Sequence, residues 1–179
     1  MKMKAIKTFL IISTLLLCAG CANYFRIDGP YKGKVIDAET KQPLEGVVVL
    51  GVWNKVQLTV AGPTGHFYDS IEVLTDKNGE FDIPGKGLMF FSNVNEMDVV
   101  IYKAGFKMLG YGPWSGFKTI TARKYTQWDG NKATFQLKKL SHEERKADIP
   151  SRPGIEQKRQ QLLTNEINKE RAEFGYNAL

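Results

Sequence analysis

Soft metal ligands are scarce in this chain of 179 residues, which has two cysteines and two histidines. That scarcity excludes a multi-cysteine zinc module and a disulfide-dense scaffold. Seven prolines and 17 glycines follow no period, so a fibrous repeat is excluded as well. A concentrated charge of one sign is also missing: 25 basic residues stand against 19 acidic ones. What remains is 42% apolar, too much for a disordered chain and enough for one ordinary domain with appendages.

The first twenty residues read as an address. Lys2, Lys4 and Lys7 precede a short apolar core, Phe9 to Ile12 and Leu15 to Leu17, and then the small pair Ala19-Gly20. This is the layout of a secretory signal, which is set aside from fold reasoning. Leu17-Cys18-Ala19-Gly20-Cys21 resembles the bacterial lipobox, whose cysteine becomes the lipid-modified first residue of the mature protein. In that family leucine usually stands three residues before the cysteine, where this chain has Cys18. The resemblance implies three acyl chains on Cys21. Two or more chains hold a protein stably on a bilayer, where a single one binds reversibly. Ala22, rather than Asp, follows the cysteine, which resembles the sorting signal for the outer membrane. The rival is an uncleaved anchor helix over Thr8 to Phe25, an uncharged stretch whose strongly apolar part stops at Leu17.

Cleavage before Cys21 lowers the basic count from 25 to 22 against 19 acidic residues, a net charge of +3. A nucleic-acid partner is not expected at that charge. With Cys21 lipidated, the mature chain has no free thiol and no disulfide, so its stability comes from packing.

From Tyr31 to Leu140 the pattern alternates with period two or forms short apolar runs between turn residues. Candidate strands are Lys32–Asp37, Gly46–Trp53, Val56–Val60, Ser70–Thr75, Glu80–Ile83, Asp98–Lys103, Phe117–Thr121 and Ala133–Leu137. Asn78-Gly79 predicts a hairpin between the fourth and fifth of these, and Pro43 presets φ within an earlier hairpin connection. Many short strands without an intervening helical stripe predict an antiparallel sandwich.

Four ordered motifs carry a second resemblance. Gly33 to Asp37 is followed by Thr40-Lys41-Gln42-Pro43-Leu44-Glu45-Gly46 with Val47 to Val49. Then come Thr75-Asp76-Lys77-Asn78-Gly79-Glu80-Phe81 and Val99-Val100-Ile101-Tyr102-Lys103-Ala104-Gly105-Phe106. Together they resemble the carboxypeptidase regulatory-like domain, over about 60% of the chain. The resemblance implies a transthyretin-like (prealbumin-like) β-sandwich and no active site. Lys41 replaces a glycine common in the family. Transthyretin-like hydroxyisourate hydrolases use this fold catalytically, but their C-terminal Tyr-Arg-Gly-Ser is missing from Gly175-Tyr176-Asn177-Ala178-Leu179.

Two aromatic, glycine-rich stretches depart from the family pattern, Leu50 to Ser70 and Leu109 to Phe117. Specific function is expected there, because binding residues favour loops on a rigid scaffold. The candidate ligand contacts are Trp53, His66, Tyr68, Tyr111 and Trp114, with Trp128 as a further aromatic for a sugar-stacking platform or peptide hot spot. The competing assignment is that half or more of these aromatics pack in the core. His142-Glu143-Glu144 lacks the second histidine of a helical zinc site, and Ser115 lacks the nucleophile elbow. Asp76, Glu80 and Asp82 lack the spacing of a calcium loop. No catalytic residue, metal or cofactor is assigned.

Residues 141–154, with Pro150 and Pro153, read as a linker. Ile155, Leu162, Leu163, Ile167 and Phe174 form one apolar stripe, which predicts an amphipathic helix over 155–175. Such a helix can dock on its own sandwich, grip a partner, or stay mobile. The chain as a whole is expected to be mainly β: an N-terminal signal segment 1–20, a tether 21–30, an antiparallel transthyretin-like β-sandwich 31–140, and a C-terminal α-helix. The expected role is a non-catalytic binding or structural module of the bacterial envelope, lipid-anchored at Cys21 and probing a protein or glycan from the outer membrane's periplasmic face. The rivals are a carbohydrate-binding accessory protein and a small hydrolase using His66.

Overall fold

Val47 to Trp53 is an apolar run without alternation, and a strand of that kind needs cover on both faces. Both covers are present in the computed structural model, which describes residues 25–60, 62–118 and 124–179. The signal segment, Cys21 and residues 119–123 lie outside the described residues.

The strands are β1 (Phe25–Asp28), β2 (Tyr31–Asp37), β3 (Val48–Thr59), β4 (Gly62–Leu74), β5 (Glu80–Ile83), β6 (Gly87–Phe90), β7 (Asp98–Tyr102), β8 (Leu109–Pro113), β9 (Thr126–Asp129) and β10 (Lys132–Leu137). Two α-helices follow, α1 (His142–Ala147) and α2 (Gln161–Glu173). One four-stranded sheet has the order β5-β2-β10-β9, the other β4-β3-β7-β8, and β1 with β6 forms a separate two-stranded ribbon. The protein is therefore a mainly β sandwich with a C-terminal helix. Its described strand pairs are antiparallel except β2 with β10, which is parallel.

Between the sheets lie Val35, Phe81, Phe135 and Leu137 from one side, and Val49, Trp53, Val99 and Ile101 from the other. Gly33 leaves room for the Phe81 ring, since a Cβ there would stand 2.5 Å from it. Gly51 does the same for Met97, whose sulfur would be 2.4 Å from an added Cβ.

The opposite face of β3 and β7 presents Val48, Leu50, Val52, Val100 and Tyr102, and α2 covers them with Leu163 and Ile167. Full burial of one such aliphatic side chain stabilises by about 1.5–3 kcal/mol. Polar contacts fix the helix at both ends. Glu72 of β4 accepts hydrogen bonds from the backbone N–H groups of Leu162 (2.9 Å) and Leu163 (2.8 Å). Glu166 and Glu170 accept from the N–H groups of Ala104 (3.2 Å) and Gly105 (2.8 Å), in the turn after β7. Arg145 of α1 pairs with Glu170 at 2.7 Å and with Glu173. Of the three fates open to the C-terminal helix, the observed one is docking on its own sandwich.

Several boundaries differ from the sequence expectation. The tether contains β1, and the linker contains α1, whose Ser141 and Glu144 form a reciprocal capping box. The main helix starts at Gln161 rather than Ile155, because a 3₁₀ turn over Gln157–Arg159 precedes it. The two strands expected over Gly46–Trp53 and Val56–Val60 merge into one long strand, β3, which runs only from Val48 to Thr59. Phe117 lies in a 3₁₀ turn, Trp114–Lys118, rather than at the start of a strand. The Asn78-Gly79 turn forms, with Asp76 accepting from the N–H groups of Asn78 (2.9 Å) and Glu80 (2.8 Å). It does not close a hairpin: β4 and β5 belong to different sheets, and so do β2 and β3 on either side of Pro43. Gly79, at φ +74°, sits against the Val35 carbonyl, 2.4 Å from where a Cβ would be, and this contact steers the chain across to β2.

Candidate functional site

The expected Leu50 to Ser70 loop is a β-hairpin. β3 and β4 pair from Val48 with Leu74 to Thr59 with Gly62, interrupted by a bulge between Trp53 and Asn54. Up to Trp53 the side chains of β3 are buried; beyond it they become exposed, so the outer half of the hairpin projects from the sandwich. The bulge sets Trp53 opposite Asp69 and Asn54 opposite Phe67, which leaves Tyr68 as the extra residue. Bulges of this kind re-aim a side chain and bend the strand. Tyr68 lies on the surface beneath the Lys55 ammonium, 4.3 Å from its ring centroid. His66 is exposed opposite Lys55, 3.3 Å from the Thr64 hydroxyl.

The two tryptophans expected to contact ligand are instead interior residues. Trp53 is 0% exposed and Trp114 is 6% exposed. Trp53 faces inward on a central strand, where both sheets enclose it. Trp114 opens the 3₁₀ turn after β8 and packs edge-on against Tyr31 (5.3 Å) and Trp128 (5.5 Å). Tyr111 has its backbone in β8, and its side chain lies outside the described residues, as does all of Cys21. Of the expected contacts, then, His66 and Tyr68 share the projecting arm, Trp53 is enclosed between the sheets, and Trp114, though buried, reaches the wall of the groove at the ribbon end.

Beneath that arm the ribbon joins the sandwich through a buried carboxylate. Asp28, the last residue of β1, is 2% exposed. It accepts hydrogen bonds from the Tyr31 hydroxyl (2.8 Å), the Trp53 indole N–H (2.8 Å) and the Lys86 backbone N–H (3.0 Å). Arg26 completes the set at 3.2 Å. Four donors offset the desolvation of a carboxylate that would otherwise be costly to bury. Burial, then the bond to Asp28, pushes the Tyr31 phenol well above its ordinary range. The Lys86 ammonium lies 4.2 Å from the Trp53 ring centroid and pairs with Asp69 at 2.5 Å.

At the same end an open groove of about 1010 Å³ runs past the first residues of β2. Its walls carry both signs of charge, and ion pairs between Lys32 and Asp82 (2.7 Å) and between Lys132 and Glu80 (2.6 Å) neutralise much of it. A smaller cleft of about 410 Å³, with Phe67, Met108, Arg152 and Ile155 in its lining, lies between the hairpin and the segment leading to α2. Among the described residues no group of three or more His, Cys, Asp or Glu could hold a metal ion.

The most apolar surface of this end was missed by sequence reasoning. Phe25, Ile27, Leu88, Phe90 and Phe91 are all exposed on or beside the ribbon, and Leu58 and Val60 are exposed at the hairpin tip. The two sets share one end of the molecule, because Val56 of the hairpin donates its N–H to the Asn93 carbonyl at 2.8 Å. The alternation Phe25-Arg26-Ile27-Asp28 and the run Leu88 to Phe91 were the available signals.

No family model, curated protein or solved structure matches this chain. Among the described residues no helix is long and apolar enough to cross a membrane.

Proposed function

We propose that this chain is a bacterial lipoprotein, anchored through lipid on Cys21 at the periplasmic face of the outer membrane. Its sandwich acts there as a non-catalytic binding or structural module. The observation that carries this is one of position: the lipobox-like Leu17 to Cys21 run stands directly ahead of a folded domain whose first strand begins at Phe25. That position, ahead of the first described strand, supports reading the cysteine as the end of a leader. Two or more acyl chains on it would hold the domain stably on a bilayer.

The carboxypeptidase regulatory-like assignment is supported by turn geometry. Lys41, at the place where the resemblance has glycine, adopts φ +60°, a conformation that favours glycine. Gly105, in the fourth motif, has φ +87°. Support for a non-catalytic role comes from the state of the imidazoles. His66 contacts a threonine on a projecting arm, and His142 lies 4.9 Å from the Phe174 ring. Burial of Trp53 and Trp114 takes two of the expected aromatics out of an exposed stacking surface, which supports a protein partner over a glycan.

Mass spectrometry of the mature N-terminus tests the anchor. The expected mass places three acyl chains on Cys21, and Cys21→Ser should release the protein from the membrane fraction. An intact Met1 would overturn the proposal. Crosslinking in native membranes through the hairpin arm, followed by identification of the attached chains, tests the binding role.

A further inference from the structure

The β1–β6 ribbon is built inside out for a strand pair in water. Its register sets Phe25 opposite Phe90 and Ile27 opposite Leu88, with Arg26 opposite Met89 between them. Directly opposed residues share a face, so Phe25, Phe90, Ile27 and Leu88 form one face while Arg26 and Met89 lie on the other. The apolar face is the outer one: Ile27 is 76% exposed and Leu88 59%. Charge is turned inward, where Arg26 donates to the Asn95 carbonyl at 2.9 Å and pairs with buried Asp28. A half-solvated antiparallel pair normally carries the reverse arrangement. Phe91, 75% exposed, extends the patch, and the Phe25 ring packs against both Phe90 (5.2 Å) and Phe91 (6.4 Å).

Chain length supplies the second constraint. Phe25 lies four residues after Cys21, and an extended chain covers at most about 3.6 Å per residue, or roughly 14 Å. A lipid-bearing cysteine sits at headgroup level, so the ribbon cannot stand clear of the membrane. Apolar faces of amphipathic elements settle about 5–10 Å into the headgroup–acyl boundary.

We infer that the outer face of the β1–β6 ribbon seats in the interface of the bilayer that holds Cys21, which fixes the orientation of the sandwich on the membrane. This rests on the lipid anchor proposed above. The ribbon end then faces the lipid, and the opposite end faces away. That opposite end is where β2 finishes at Asp37 and the Thr40 turn follows. A bilayer is favoured over a protein partner because the anchor itself imposes the proximity, and the residues that form the outer face, Phe25, Ile27, Leu88 and Phe90, are all apolar.

The experiment uses the full chain, produced with its leader in a bacterial host and reconstituted into vesicles of phosphatidylethanolamine and phosphatidylglycerol. After cleavage and lipidation no native thiol is free, so Leu88→Cys and, at the far end, Thr40→Cys each accept a single nitroxide label. Both sites are exposed, and the substitutions leave the core untouched. The expected result is a several-fold lower accessibility of the Leu88 label to a water-soluble nickel chelate than of the Thr40 label, with higher accessibility to oxygen. Adding Ile27→Asp should restore much of the nickel accessibility at Leu88. Equal accessibility at both sites, in protein whose mass shows lipid on Cys21, overturns the seat and leaves the anchor standing. Protein that carries no lipid and does not float with the vesicles overturns both. Spin–spin broadening between Leu88 labels on two copies also overturns the seat, in favour of self-association through the ribbon.

Discussion

Trp53 donates its indole N–H to Asp28 at 2.8 Å, and this bond ties the ribbon to a central strand of the sandwich. Asp28→Ala should leave that N–H and the Tyr31 hydroxyl buried without an acceptor, at a cost of about 3 kcal/mol. Trp53→Phe removes one donor and leaves Asp28 three others, so it should cost about 2 kcal/mol. Urea unfolding of the two variants and their combination checks this. The shared bond requires the double variant to lose less than the two singles together.

Glu72 acts as an N-terminal cap for α2 supplied from another element. Its two oxygens take the N–H groups of Leu162 and Leu163, which no local side chain caps, since Gln160 makes no capping bond. Glu72→Ala should cost about 1 kcal/mol. Amide hydrogen exchange should quicken across the first turns of α2 and not in β2 or β10. Glu72→Gln, which keeps an acceptor and loses the charge, should fall between.

Arg145 faces Glu170, whose side chain is 3% exposed. Arg145→Ala strands a buried carboxylate and should cost about 3–5 kcal/mol. Arg145→Lys should recover only part of this, because a single ammonium cannot reproduce the forked contacts to Glu170 and Glu173. Adding Glu170→Gln to Arg145→Ala should recover more than the lysine does. Thermal unfolding of the four proteins ranks them.

Acid should weaken the fold through Asp37. The N–H groups of Thr40 and Glu39 donate to its carboxylate and hold it below the usual range. Its folded value is therefore below the unfolded one of about 3.9. The stabilisation is complete above the unfolded value and disappears as pH falls through the folded value. Glu173, held low by Arg145, acts with the same sign. Urea midpoints should fall from about pH 5 downward, and Asp37→Asn should flatten that slope.

Local alternation made some elements legible and topology hid others. Glu80–Ile83 is legible to the residue because its side chains alternate between exposed and buried. β1 alternates as clearly, but alternation does not tell which face meets the core, and here the apolar face is outward. The Asn78-Gly79 turn was legible, whereas the sheet its second strand joins depends on contacts with Val35, more than 40 residues earlier. The apolar stripe begins at Ile155, six residues before α2 does, for a related reason: the helix takes its cap from Glu72, about 90 residues away. Trp53 and Trp114 looked like surface candidates from their glycine-rich neighbours. Their burial depends on which way a bulged strand and a 3₁₀ turn happen to face.

The cover that α2 provides has a consequence in time. Val48, Leu50, Val52, Val100 and Tyr102 remain bare until residues 161–173 have emerged and docked, so a partly emerged or prematurely terminated chain carries a sticky slab that chaperones or proteases will find first.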